Sequence, residues 1–170
     1  VLNMKAKINR KVMTDLLTGL PNRRSLLEEV SINDKNRREE SSDTALIMVM
    51  LDYFKIVKNK FNHRDEILVE ISNRLKTNLR STDMVARWAG NEFLILLPKT
   101  NVSQAFGVAE SLRRKIADDA IGVEDFDYGI TATLGVSSYQ NDDTFEETLI
   151  NTGAAITQEK ASETNRVVMV

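Results

Sequence analysis

One run of residues does most to limit what this chain can fold into. Residues 44–54 read TALIMVMLDYF, almost continuously apolar over the length of a strand. A strand with one wet face alternates apolar and polar side chains. A run that does not alternate belongs to a strand covered on both faces. The chain therefore needs a sheet with this segment at its centre and helices on both sides. The run is also far too short to span a bilayer, which takes roughly 20 apolar residues in a helix.

The rest of the pattern supplies those helices. Residues 1–17 carry Leu2, Ile8, Val12, Met13 and Leu16 at helical spacing, and TGLPN at 18–22 is a breaker cluster. A second helix follows with Leu26, Leu27 and Val30 on one face. SINDKNRREESSD at 31–43 reads as a polar loop, or as a helix end running into one. Residues 66–80 show the stripe Ile67, Leu68, Ile71, Leu75 and Leu79. Residues 102–117 show Val102, Ala105, Phe106, Ala109, Leu112 and Ile116. Between them, residues 84–97 read as a hairpin. GITATLGVSSY alternates as a strand does, a helix is expected around 144–160, and RVVMV forms a last short strand. The order predicts an α/β sandwich around a mixed sheet with at least one antiparallel pair.

Composition narrows the function classes. With 170 residues, 42% hydrophobic and 28% charged, the chain is of globular type and long enough for one domain with a real core. A net charge of -2 gives no general drive toward nucleic acid or an anionic membrane. The absence of cysteine excludes disulfides, thiolate metal sites and a cysteine nucleophile. Val1 opens directly into a charged helical run. That run reads as the end of a signalling helix, with this segment cytoplasmic and any sensor or membrane part upstream.

The hairpin RWAGNEFLILLP, residues 87–98, sets a Gly beside a carboxylate in an exposed turn between apolar strands. Such a turn can hold a phosphate or a metal. Gly90 and Asn91 also suit a plain hairpin turn, since both tolerate φ > 0.

Several segments together resemble one family. DLLTGLPNRRSL at 15–26 is similar to the D-x-L-T-G-L-x-N-R entry motif of GGDEF domains, the diguanylate cyclases of bacterial signalling. LDYFKIVKN at 51–59 resembles their D-x-D-x-F-K-x-x-N-D segment. RWAGNEF resembles R-x-G-G-[DE]-E-F, and TATLGVS and the closing K…NRVV fit later segments. The match runs in order along essentially the whole chain. It implies a palm-like nucleotidyl-cyclase sandwich with a central mixed sheet of about five strands, the GGDEF domain occupying 18–170 behind a linker helix at 1–17. The implied activity joins two GTP into cyclic di-GMP with Mg²⁺, across two domains that meet face to face.

Carried over residue by residue, the resemblance assigns the two metal carboxylates to Met50 and Asn91, leaving Glu92 as the residual acid. A thioether is a poor ligand for a hard cation, and an amide brings no charge. No resident metal or other cofactor is therefore expected. The first Gly of the signature is Ala89. The guanine-reading Asn falls on Lys58, the following Asp becomes Asn59, and the next loop is two residues short, leaving Asp65 as the guanine-binding equivalent. The vestigial nucleotide set is then Asp65, Gly90, Phe54, Lys55 and Lys160.

A second site stands apart. Arg80 and Asp83 form the R-x-x-D that many diguanylate cyclases carry five residues before the signature, their inhibitory site for cyclic di-GMP. Arg87 is grouped with them, and Arg113 or Arg114 are candidates for an added arginine. An arginine fork donates to guanine or phosphate, and an Asp accepts from guanine N–H groups.

The expectation is a degenerate GGDEF domain, catalytically weak or inactive, that binds cyclic di-GMP or a GTP-like nucleotide as a regulatory module. Two alternatives stay open. One is an active cyclase using Glu92 and Asp52. The other is a module that dimerises through its N-terminal helix or domain face without nucleotide. Neither nucleic acid nor membrane is expected as a partner of this segment.

Overall fold

The computed structural model describes residues 13–54, 63–140 and 143–170. Most of the helix read at 1–17, with Lys55, Lys58 and Asn59, lies outside them. Met13, the first described residue, is helical, and the helix ends there, short of the expected residue 17. Thr14 pairs with Pro21 in an isolated bridge. The Asp15 carboxylate holds the Thr18 amide at 2.9 Å and its hydroxyl at 2.7 Å. Gly19 closes this turn at φ 72, a conformation that favours glycine.

Helix α1 spans Arg23–Glu40, with Asn22 as N-cap accepting from the Ser25 amide. It continues through the stretch read as loop. The reason is that its buried stripe is Leu26, Val30, Asn33 and Arg37, so polar side chains occupy apolar positions. Asn33 donates to the Thr44 hydroxyl at 3.0 Å. Arg37 donates to the Tyr139 carbonyl at 3.3 Å, with its guanidinium 4.4 Å from the Tyr139 ring centroid. Burial, then the hydrogen bond to Asp34, holds the Tyr139 hydroxyl well above its ordinary pKa. Leu27, read on the packed face, is instead exposed.

Strand β1 is Thr44–Leu51, followed by α2 (His63–Thr77), β2 (Met84–Ala89), β3 (Glu92–Pro98) and α3 (Val102–Ala117). Then come β4 (Ile121–Val123), β5 (Phe126–Tyr128), β6 (Ala132–Tyr139), α4 (Phe145–Lys160) and β7 (Val167–Met169). The main sheet has the order β2-β3-β1-β6-β7. Its pairs are antiparallel except β6 with β7, so the sheet is mixed.

The apolar run of β1 faces two cores. Ala45, Ile47, Val49 and Leu51 pack toward α2 and α3, while Leu46 and Met48 pack toward α1 and α4. β6 is buried on both faces too, and its apparent alternation reflects small and hydroxyl residues beneath α4. A Cβ on Gly135 would meet Thr152 Cγ2 at 2.8 Å, so glycine permits that close helix approach. The short β4–β5 hairpin was not anticipated, since strands of three residues carry no readable period.

Candidate nucleotide site

The site lies where β1 ends beside the β2–β3 turn. Met50 is in register with Glu92 on one side and Thr133 on the other. The Leu51 amide donates to the Asn91 carbonyl at 3.1 Å. Gly90 is exposed, with nothing within 4 Å of where a Cβ would stand. Neither Gly90 nor Asn91 has φ > 0, so the turn does not use the left-handed region expected of this pair. A register shift between Arg87 and Ala89 bulges the strand instead.

The entry motif braces this turn. Arg87 donates through Nη1 to Asp15 Oδ2 at 3.2 Å and through Nη2 to the Gly90 carbonyl at 3.0 Å. Its amide donates to the Pro21 carbonyl at 3.0 Å. Arg23 donates to the Trp88 carbonyl at 3.0 Å and lies 4.3 Å from the centroid of that ring. Burial pushes the Asp15 carboxyl up, but the Thr18 hydrogen bonds and the Arg87 guanidinium outweigh it and hold its pKa below 3.8.

Beneath the turn, Asp52 forms a saturated hub. Its side chain is fully buried. It accepts from the hydroxyls of Thr131 at 2.7 Å and Thr133 at 2.8 Å, and from the Asn165 amide at 2.9 Å. Lys160 reaches the same carboxylate at 3.2 Å and donates to the Leu51 carbonyl at 3.1 Å. An ammonium ion, tethered from the last turn of α4, thus sits at the end of β1.

These groups do not fit a resident Mg²⁺. The donor set that the family resemblance assigns here is a thioether at Met50, a neutral amide at Asn91 and one carboxylate at Glu92, beside an Asp52 whose oxygens are already engaged. Among the described residues, no group of three or more His, Asp or Glu side chains is arranged to hold a metal ion.

The other sequence-derived residues fall elsewhere. Phe54 is buried in the core on the α2 side. Asp65, in the first turn of α2, lines a cavity of about 420 Å³ with Leu17, Glu70, Arg74 and Ile121, which no residue of the β2–β3 turn lines. His63 is buried, holding Tyr128 through Nδ1 and Glu124 through Nε2 at 3.4 Å.

Arg80 and Asp83 are brought together. Asp83 accepts from Arg80 Nη2 at 2.9 Å and from Nε at 3.2 Å. That hydrogen bond pushes the Arg80 guanidinium further up from its usual value. Arg87 does not join them, since it stands about 13 Å along the strand direction from Asp83 at some 3.3 Å per residue. Arg113 is engaged by Glu110 and Asn165, and Arg114 is largely exposed. The sequence reading missed Thr131, just before β6, and Thr133, within it, whose signal is the TAT spacing that brings both hydroxyls to Asp52. It also missed Thr100, which carries no local signal.

Residues 12–166 match the family described as diguanylate cyclase, GGDEF domain. The chain belongs to the GGDEF family. It is 30% identical over 160 residues to diguanylate cyclase DgcP of Pseudomonas aeruginosa, covering 93% of this chain and 24% of that protein. It is 34% identical over 163 residues to the cyclic di-GMP phosphodiesterase NbdA of the same organism, covering 94% of this chain and 21% of that protein. Among solved structures, diguanylate cyclase SiaD of P. aeruginosa, in complex with its activator SiaC, superposes with a TM-score of 0.88 at 32% identity. That alignment covers 99% of this chain and 65% of that one. The coiled coil and GGDEF domain of DgcB from Caulobacter crescentus, in complex with c-di-GMP, gives 0.90 at 19% identity, covering 99% of this chain and 91% of that one. The GGDEF fold is therefore firm, and the chain spans about a quarter or less of the length of these two curated relatives. No helix among the described residues is long and apolar enough to cross a membrane.

Proposed function

We propose that this GGDEF domain does not cyclise GTP and is retained as a regulatory module in cyclic di-GMP signalling, taking the cyclic dinucleotide at Arg80, the exposed member of the Arg80–Asp83 pair. The observation that carries the reading is the end of β1. Met50 and Asn91 stand where the family resemblance assigns metal carboxylates, and the tethered Lys160 ammonium occupies the Leu51 carbonyl and Asp52. Joining two GTP requires the charge of two triphosphates to be neutralised around the reacting oxygens. One uncommitted carboxylate and two neutral side chains supply no seat for a hard divalent cation.

The Arg80 and Asp83 pair is independent of that loss. Arg80 meets the chain near Pro98, at the end of the hairpin remote from Gly90. A regulatory role also fits the match to a protein named for cyclic di-GMP hydrolysis.

Calorimetric titration of cyclic di-GMP into wild type and Arg80→Ala tests the proposal. Saturable heat with wild type, lost in the variant, is expected. No heat from wild type would overturn ligand binding and favour a pure interaction module.

A further inference from the structure

Arg80 is held more firmly than an exposed arginine beside an aspartate needs to be. Its side chain is 58% exposed, while that of Asp83 is 3% exposed. The Asp83 carboxylate takes Nε and Nη2, and also the Arg80 amide at 2.9 Å. A second clamp comes from Thr100, twenty residues away. Its hydroxyl oxygen accepts from Arg80 Nη2 at 2.6 Å and donates its own proton to the Pro98 carbonyl at 2.9 Å. Thr100 is itself buried, and its amide donates to the Asp43 carbonyl at 3.2 Å. The acceptor that fixes the guanidinium is therefore fixed in turn by the backbone on either side of it. Of the guanidinium nitrogens, Nη1 alone donates to no described residue.

We propose that Thr100 is a positioning residue for the ligand site at Arg80. Its hydroxyl locks the guanidinium with Asp83 so that the free Nη1 edge faces outward, ready for an acceptor atom of the ligand. The inference rests on the reading that Arg80 binds cyclic di-GMP. The ligand offers guanine oxygen and nitrogen acceptors and phosphate oxygens, all suited to an arginine N–H. A guanidinium ordered before binding spares the ligand the entropy of ordering it. A purely structural Thr100 would tie β3 to the chain before β1 and leave Arg80 indifferent to its hydroxyl.

The test compares wild type, Thr100→Val and Thr100→Ser. Valine keeps the shape and removes the acceptor, and serine keeps the acceptor. Titration with cyclic di-GMP is expected to weaken about 3- to 10-fold in Thr100→Val, the scale of one immobilised long side chain, and to stay within about 2-fold of wild type in Thr100→Ser. In the ligand-free proteins, the Arg80 Nη proton signals in NMR are expected to be resolved in wild type and Thr100→Ser and averaged in Thr100→Val. Equal affinity of Thr100→Val and wild type overturns the proposal, as does a Thr100→Ser as weak as the valine variant. Should wild type take up no cyclic di-GMP, the ligand reading fails. The positioning claim is then decided by NMR alone, with resolved Arg80 signals in Thr100→Val overturning it.

Discussion

Replacing Lys160 with methionine probes the hub beneath the turn. Methionine keeps the length of the aliphatic stem and removes the charge. The lost contacts are those to Asp52 at 3.2 Å and to the Leu51 carbonyl at 3.1 Å. Breaking one side of a buried ion pair costs about 3–5 kcal/mol when the remaining charge is stranded. Here the lysine side chain is 25% exposed, and Asp52 keeps the Thr131, Thr133 and Asn165 donors. Those features reduce the expected loss to about 2 kcal/mol. For a domain of this size that is a fall in Tm of about 4–8 °C. Urea and thermal unfolding followed by circular dichroism would measure it. The double variant Asp52→Asn, Lys160→Met removes both charges, so its loss is expected to fall short of the sum of the singles by about 1–2 kcal/mol. A Lys160→Met protein as stable as wild type, or strict additivity, would refute the argument that Lys160 is the resident counter-ion of Asp52.

Two further outcomes follow from the same geometry. Asp15→Asn weakens the brace between the entry motif and the turn and is expected to cost about 1–2 kcal/mol at pH 7. The Asp15 pKa is lowered on folding, so its stabilisation is full above 3.8 and is lost as pH falls through the folded-state value. The gap between wild type and variant, measured by urea unfolding across pH, should therefore close in acid; a gap that persists there would contradict the assignment. Met50→Asp combined with Asn91→Asp places two carboxylates beside Glu92. This protein should gain a Mn²⁺-dependent rise in stability of about 2.7 kcal/mol at a hundred times the dissociation constant, while wild type does not respond.

Much of the fold was legible because its strongest signals are local. The run at 44–51 announced a central strand, and the stripes at 67–75 and 105–116 announced its covering helices. The second half of α1 was not legible, because Asn33 and Arg37 fill buried positions that a hydrophobicity pattern scores as solvent-facing. Their burial depends on Thr44 and Tyr139, which sequence does not bring near. Asp52 was visible within LDYF, but its partners Thr131, Thr133, Lys160 and Asn165 come from distant elements. The family resemblance, through its R-x-x-D motif, paired Arg80 with Asp83. It also grouped Arg87 with them, where the extended strand carries it to the opposite end of the hairpin. Gly90 and Asn91 marked the turn correctly but not its backbone, since the bulge at Arg87 and Ala89 does the work expected of φ > 0.

The central claim is that the end of β1 no longer supports cyclisation of GTP. Incubating the protein with GTP and either Mg²⁺ or Mn²⁺, and separating the nucleotides by chromatography, tests it most directly. The account predicts no cyclic di-GMP above a protein-free control. Sustained production of cyclic di-GMP that is abolished by Glu92→Ala would contradict it and establish Glu92 as a working acid.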